Sequence, residues 1–169
     1  MRRRTTLAVG AAVAIAAALI PLTALAKTYS DAVHGAEYYA TMTDGKFVGV
    51  ATGALPGAWR ADVQHAALAP STVSITGGTF QIQTVVNGQI HTVVGQFTNS
   101  GTITPTGGFG TCGTQTFSVR GPLAHVGVFG QPDNGSGIFQ ATLTHYQFSF
   151  FGACVTYAAT VNGSVSLSF

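Results

Sequence analysis

The sequence predicts an all-β fold, a single-domain antiparallel β-barrel, with a β-sandwich as the alternative. Nearly every apolar segment after residue 26 is short and rich in Val, Thr, Phe, Ile and Tyr, the residue types that suit a pleated, half-buried surface. Gly, Pro or Asn-Gly separates these segments, as expected of tight turns between strands. No segment of residues 27–169 carries the periodicity of a helix.

The first 26 residues have the features of a signal peptide. Three arginines at positions 2–4 precede an apolar run from Leu7 to Ile20, and Ala24 and Ala26 form an A-x-A cleavage site. We therefore expect a signal peptide over residues 1–26 and one secreted domain over residues 27–169. An uncleaved membrane anchor is the alternative. General secretory and twin-arginine export both stay open, and the arginine-then-alanine composition suggests a bacterium.

Removal of this segment changes the charge of the protein. The whole chain has a formal net charge of +2, but three of its seven basic residues lie in the first four positions. Residues 27–169 keep four basic and five acidic side chains, a net charge of −1. No basic stripe remains, so we expect neither a nucleic-acid partner nor a membrane partner after cleavage.

The two cysteines, Cys112 and Cys154, are predicted to form a disulfide. Export places both thiols in an oxidising compartment, where pairing is the default. A redox pair or a metal site is the alternative, but there is no C-x-x-C and no cluster of Cys with His. The sequence therefore favours a structural bridge.

Composition and turn residues together predict the positions of eleven strands. Asp31–Gly35 is too short to assign, and Gly107–Gly113 and Gly130–Gly137 are predicted loops. The predicted strands are Ala36–Thr43, Lys46–Thr52, Trp59–His65, Thr72–Thr76, Thr79–Val86, Gln89–Thr98, Thr114–Arg120, Leu123–Phe129, Gly137–Phe150, Ala153–Val161 and Val165–Phe169.

Asn87 and Gly88 predict a two-residue type I′ hairpin turn. Such a turn places Val86 opposite Gln89 and Thr84 opposite His91. His91 then lies on the same face as several apolar side chains, and we interpret it as a buried neutral histidine bonded to Thr84 or to backbone. The apolar members of this face are Phe80, Ile82, Val86, Val93 and Phe97.

A second hairpin turn, at Phe151 and Gly152, predicts an aromatic face and a polar face. The aromatic face is expected to be core, and a further turn at Asn162 and Gly163 would place Val165 and Leu167 on the polar face. Since both faces then need cover, we favour a closed sheet with some polar groups inside. The aromatic face holds Tyr146, Phe148, Phe150, Val155 and Tyr157, and the polar face His145, Gln147, Ser149, Cys154 and Thr156.

The closed sheet leads to a candidate interior pocket that contains Thr84, His91, His145 and Gln147. No motif for a nucleophile, a paired-carboxylate site, a phosphate or a metal is present, so no catalytic residue, metal ligand or cofactor is predicted. Gly57 and Trp59 have a G-x-W spacing that resembles the first strand of lipocalins. Because strands are predicted before it, we interpret Trp59 as an aromatic side chain that plugs one end of the core and orders the turn at Pro56 and Gly57.

The favoured function is a non-catalytic binding or structural module at the cell exterior, and an enzyme is disfavoured. Its partner is unknown, with a cell-surface polymer or a small apolar ligand as candidates. The alternative is a small β-barrel carrier, isomerase or cyclase that holds a hydrophobic molecule in its interior. The two hypotheses differ in the interior, because a carrier needs a cavity of several hundred Å³.

Overall fold

The computed structural model describes residues 26–131 and 133–169, so the predicted signal peptide and Ala24 lie outside the described residues, and Ala26 is the first of them. Within these residues the chain forms nine β-strands, and all of their pairings are antiparallel. The strands are β1 (Thr28–Ala40), β2 (Asp44–Gly53), β3 (Gly57–His65), β4 (Val73–Val86), β5 (Gln89–Phe97), β6 (Thr102–Gly107), β7 (Thr114–Val128), β8 (Gly135–Phe150) and β9 (Ala153–Ser168).

The strands close into a barrel with eight positions, which confirms the predicted fold class. Each strand pairs with the next one along the chain from β1 to β5 and from β7 to β9, and β9 pairs with β1. The eighth position is shared by β5 and β6. Both pair with β4 on one side and β7 on the other, and a bend at residues 98–101 separates them. No helix long and apolar enough to cross a membrane occurs among the described residues.

Several predicted strand boundaries are wrong because neighbouring segments pair as one strand. The segments on either side of Gly77 and Gly78 join into β4, and those on either side of Gly121 join into β7. Residues 31–35, which were left unassigned, belong to β1, and β6 was missed. Partners on both sides hold these segments extended, which local composition does not reveal.

The predicted turn at Asn162 and Gly163 does not form. Both residues lie inside β9, where Asn162 pairs with Thr142 on one side and His34 on the other. The Asn162 side chain is also 2.9 Å from Nδ1 of His34. An Asn-Gly pair favours a turn only where the flanking segments can pair with each other, and here β1 and β8 supply the pairing instead.

The hairpin at Asn87 and Gly88 forms as predicted. Both residues have positive φ, 52° and 76°, and the register pairs Val86 with Gln89 and Thr84 with His91. Four of the five apolar residues predicted on its inner face are buried, while Val86, next to the turn, is exposed.

Aromatic side chains fill the middle of the barrel. Trp59 is only 2% exposed, and its Nε1 donates to the carbonyl oxygens of His34 and Val50, both at 3.1 Å. Its ring centroid lies 6.1 Å from that of Phe80 and 5.9 Å from that of Phe139. Trp59 is thus a core residue of β3 that packs in the middle of the barrel and not at one end of it.

The two ends of the barrel differ. The terminal end holds Lys27 and Phe169, which exchange backbone hydrogen bonds, and the turns that follow β2, β4 and β7. The disulfide end holds the connections that follow β1, β3, β6 and β8. Here β8 and β9 form a long hairpin around Phe151 and Gly152, and this hairpin carries Cys154.

Candidate functional site

A disulfide between Cys112 and Cys154 fixes the β8–β9 hairpin at the disulfide end. It joins the loop after β6 to the beginning of β9, with 5.1 Å between the two Cα atoms. The backbone N–H of Gln147 donates to the carbonyl oxygen of Gly113 at 2.8 Å, so the loop is also hydrogen-bonded to β8. The expected pairing of the two cysteines is present, and it restrains the outermost part of the hairpin.

The aromatic face of this hairpin points outward, and its prediction as core is wrong. Phe148, Phe150, Val155 and Tyr157 are exposed, and Phe151 at the turn is 95% exposed. On β8 the alternation buries Phe139, Ala141, Leu143 and His145, so Tyr146, Phe148 and Phe150 face outward. On β9 there is a bulge: Tyr146 pairs with Ala158 and Gln147 with Thr156, so Tyr157 is an extra residue. The bulge shifts the alternation by one and turns Ala159, Val161, Val165 and Leu167 into the core.

We call the outward face the hairpin patch. Its rings contact one another, with Phe148 centred 6.0 Å from Tyr157 and Phe150 centred 4.5 Å from Phe151. Exposed apolar side chains that cluster in this way mark interaction surfaces more often than isolated ones do. The hairpin patch consists of Tyr146, Phe148, Phe150, Phe151, Val155 and Tyr157.

A cleft borders the hairpin patch, because β1 and β9 separate at the disulfide end. Their pairing ends at Ala36 and Thr160, although β1 continues to Ala40 and β9 begins at Ala153. The cleft between them has a volume of about 380 Å³ and is lined by residues 37–40 and 156–159. The barrel wall is therefore open on this side.

A carboxyl group and an imidazole ring are in close contact inside the barrel at the same end. Glu37 Oε2 is 2.9 Å from His145 Nε2, and the two side chains are 7% and 10% exposed. The ring N–H is not aligned on the carboxylate oxygen as in a hydrogen bond, so the contact is electrostatic. The His145 ring also packs on Phe117, with 5.3 Å between the centroids.

The pocket around this pair is small and mainly apolar. Its volume is about 40 Å³, room for a few water molecules and far below the several hundred Å³ of a site for a hydrophobic small molecule. His65 also lines it, with Nδ1 2.8 Å from the carbonyl oxygen of Ala66. The remaining lining is largely aliphatic and aromatic and includes Phe47, Leu68, Ile103, Phe139 and Leu143.

Two carboxyl groups lie close together on the wall beside the pocket. Burial raises the pKa of Asp44 above its usual 3.8, and the adjacent Asp62 raises it further by accepting a hydrogen bond and by repulsion. Lys46 lies 3.4 Å from Asp62, and this contact raises the pKa of Lys46. Across the described residues, no three His, Cys, Asp or Glu side chains assemble as a metal site.

The four residues predicted for an interior pocket lie at two different ends of the barrel. Thr84 and His91 are near the terminal end, where the Thr84 hydroxyl donates to the carbonyl oxygen of Pro56 at 2.9 Å. His145 and Gln147 are at the disulfide end. Gln147 Nε2 donates to the hydroxyl of Thr156 at 3.0 Å rather than facing His145.

Glu37, the partner of His145, was missed from the sequence. Its signal is the alternation of β1, in which Asp31 and Val33 are buried, so that the same face reaches Glu37. The structure also shows that Gly45 leaves space for this side chain, because a Cβ at Gly45 would lie 2.7 Å from Glu37 Oε1. The register that brings these strands together was not predicted.

The comparisons with known proteins add no functional assignment. No protein-family model, no curated protein and no solved structure matches the chain.

Proposed function

We propose that the protein is a non-catalytic binding module of the cell exterior that contacts its partner through the hairpin patch. The observation that carries this proposal is the exposure of a contiguous aromatic surface on a hairpin that a disulfide holds in place. Ordering a flexible loop on binding costs conformational entropy, and a restrained hairpin reduces that cost. Aromatic side chains are also enriched among the residues that dominate binding energy.

The interior supports a binding role over that of a carrier. Trp59, Phe80 and Phe139 occupy the middle of the barrel, and the pocket at the disulfide end holds about 40 Å³. A hydrophobic ligand would have to displace these rings. The small size of this pocket therefore gives no support to the alternative of an interior carrier, isomerase or cyclase.

Location outside the cytoplasm is supported by the disulfide, which persists in oxidising compartments, and by the predicted signal peptide. We expect protein recovered from outside the producing cells to begin at Lys27. Intact-mass measurement tests this, since retention of residues 1–26 would contradict cleavage after Ala26.

Site-specific photo-crosslinking tests the binding surface. A benzophenone side chain replaces Phe151 in the hairpin patch, and in a matched variant it replaces Phe129, which is 76% exposed at the terminal end. After irradiation of producing cells, we expect a discrete cross-linked species from position 151 that position 129 does not give. Equal labelling from both positions, or none from position 151, would overturn the proposed surface.

A further inference from the structure

Two strands of the barrel present unpaired backbone edges to the same cleft. The β1–β9 register stops at Ala36 and Thr160, whereas Glu37–Ala40 still pairs with β2 on its other side and Ala153–Ala159 still pairs with β8. Among the described residues no other backbone segment pairs with these edges. At about 3.3 Å per residue, the free edge of β9 is roughly 20 Å long.

This edge lacks the charged and proline residues that normally prevent strand addition, although it does carry one protective feature, the bulge at Tyr157. Natural edge strands carry charged side chains, especially lysine, or proline. Residues 153–159 contain neither, and no charged residue follows Asp133 in the sequence. Glu37 is the single charge lining the cleft, and its carboxylate is turned against His145. The edge is therefore open to backbone pairing.

We propose that the cleft binds an extended, uncharged peptide segment of a partner protein, which adds as a strand to the free edge of β9. Main-chain hydrogen bonds would give the affinity, as in other cases of strand addition. Side chains at alternate positions of the segment would contact Tyr38 and Tyr157, both exposed at the cleft. β-Branched or aromatic residues at those positions suit such cross-strand contacts.

The shape of the cleft favours a lone strand over a second copy of the barrel. A strand that pairs with β9 in the cleft has residues 37–40 of β1 on its far side. The β9 strand of a second copy would bring its own β8 into the space that β1 occupies. A single extended segment brings no such neighbour.

This inference rests on the proposed binding role, since it names the partner class for the same end of the barrel. The probe is a synthetic heptapeptide of alternating Thr and Val with a central Tyr and a terminal lysine pair for solubility. Two further peptides of the same sequence are N-methylated, one at the odd and one at the even positions. Methylation removes the backbone donors of one edge and keeps the side chains.

We expect the parent heptapeptide to bind and to slow amide hydrogen exchange in residues 153–159. At least one methylated peptide should bind about tenfold or more weakly, because backbone hydrogen bonds are lost. Tyr157→Lys places a charge on the free edge and should weaken binding by a similar factor. Ser164→Lys is the matched control, since Ser164 is exposed on the part of β9 with partners on both sides, and it should bind like the parent protein.

Equal affinity for all three peptides would overturn strand addition and leave binding to the side chains of the hairpin patch, so the proposed function would survive. Absence of parent-peptide binding would also overturn it, while the cross-link at position 151 reports on the proposed function independently. Dimerisation of the protein with protection of residues 153–159 in the absence of peptide would assign the edge to a second copy and overturn the proposal.

Discussion

Glu37 and His145 are paired in the interior, with 2.9 Å between Oε2 and Nε2, although one lies on β1 and the other on β8. The pair links β1 to β8, although β9 lies between these strands in the sheet order and separates from β1 at the disulfide end. Glu37 and His145 are two of the three ionisable groups that line the mainly apolar pocket, and His65 is the third. Each partner depends on the other for compensation of its burial.

Removal of one partner should destabilise the protein. We expect Glu37→Leu to lower the free energy of unfolding by about 3 kcal/mol, because it leaves a buried polar group without its partner. The double variant Glu37→Leu/His145→Leu should recover much of this loss, since no unpaired group remains. Urea denaturation followed by the fluorescence of Trp59, the single tryptophan, measures both. Equal losses in the single and double variants would show that the two groups are not coupled.

The disulfide should stabilise the whole barrel as well as the hairpin. Because the cysteines are 42 positions apart in the sequence, loop-closure entropy predicts a loss of up to about 4 kcal/mol for Cys112→Ser/Cys154→Ser. Hydrogen exchange should also accelerate in residues 147–156, because the hairpin extends beyond the paired part of β1. The residues around Trp59 serve as the internal control, and faster exchange there alone would contradict this account.

Stability should depend on pH through Asp44. Burial and the adjacent Asp62 raise the pKa of Asp44 in the folded state above the ordinary value of 3.8. In the pH window between that value and the raised pKa, the folded protein therefore binds more protons than the unfolded chain. This contribution to stability is therefore lost as the pH rises through that window. Asp44→Asn should raise the urea midpoint at pH 7 and leave it nearly unchanged below pH 3.8. A lower midpoint at pH 7 would contradict the direction of the shift.

Gly49 should be essential for the position of Trp59. A Cβ at Gly49 would lie 2.0 Å from the His34 carbonyl oxygen and 2.6 Å from Trp59 Nε1, so the backbone itself must move. We expect Gly49→Ala to cost about 3 kcal/mol and to shift the fluorescence of Trp59. Gly77→Ala is the matched control, because its nearest neighbour is the end of the flexible Gln64 side chain at 3.3 Å. A nearly neutral Gly49→Ala would show that the core adapts.

Local sequence patterns predicted those parts of the fold that local geometry decides. Asn87 and Gly88 set a hairpin register by themselves, because both adopt the positive φ that a type I′ turn requires. The direction of the β9 side chains after residue 157 depended instead on the bulge at Tyr157, for which the sequence has no clear marker. The Glu37–His145 pair needed the register across three strands, and the open cleft needed the point at which β1 and β9 separate. Neither of these is a local property.

The order of the strands has a consequence for how the chain folds. Nearly every pairing joins strands that are consecutive or separated by one short strand, so most hairpins can form from nearby residues. The pairing of Thr28 with Ser168 is different, because it joins strands from opposite ends of the described chain and carries the largest loop-closure entropy. We therefore expect ring closure between β1 and β9 to be the slowest step of folding. Until it occurs, the edges of both strands are exposed along their whole length, and the chain is then most susceptible to aggregation.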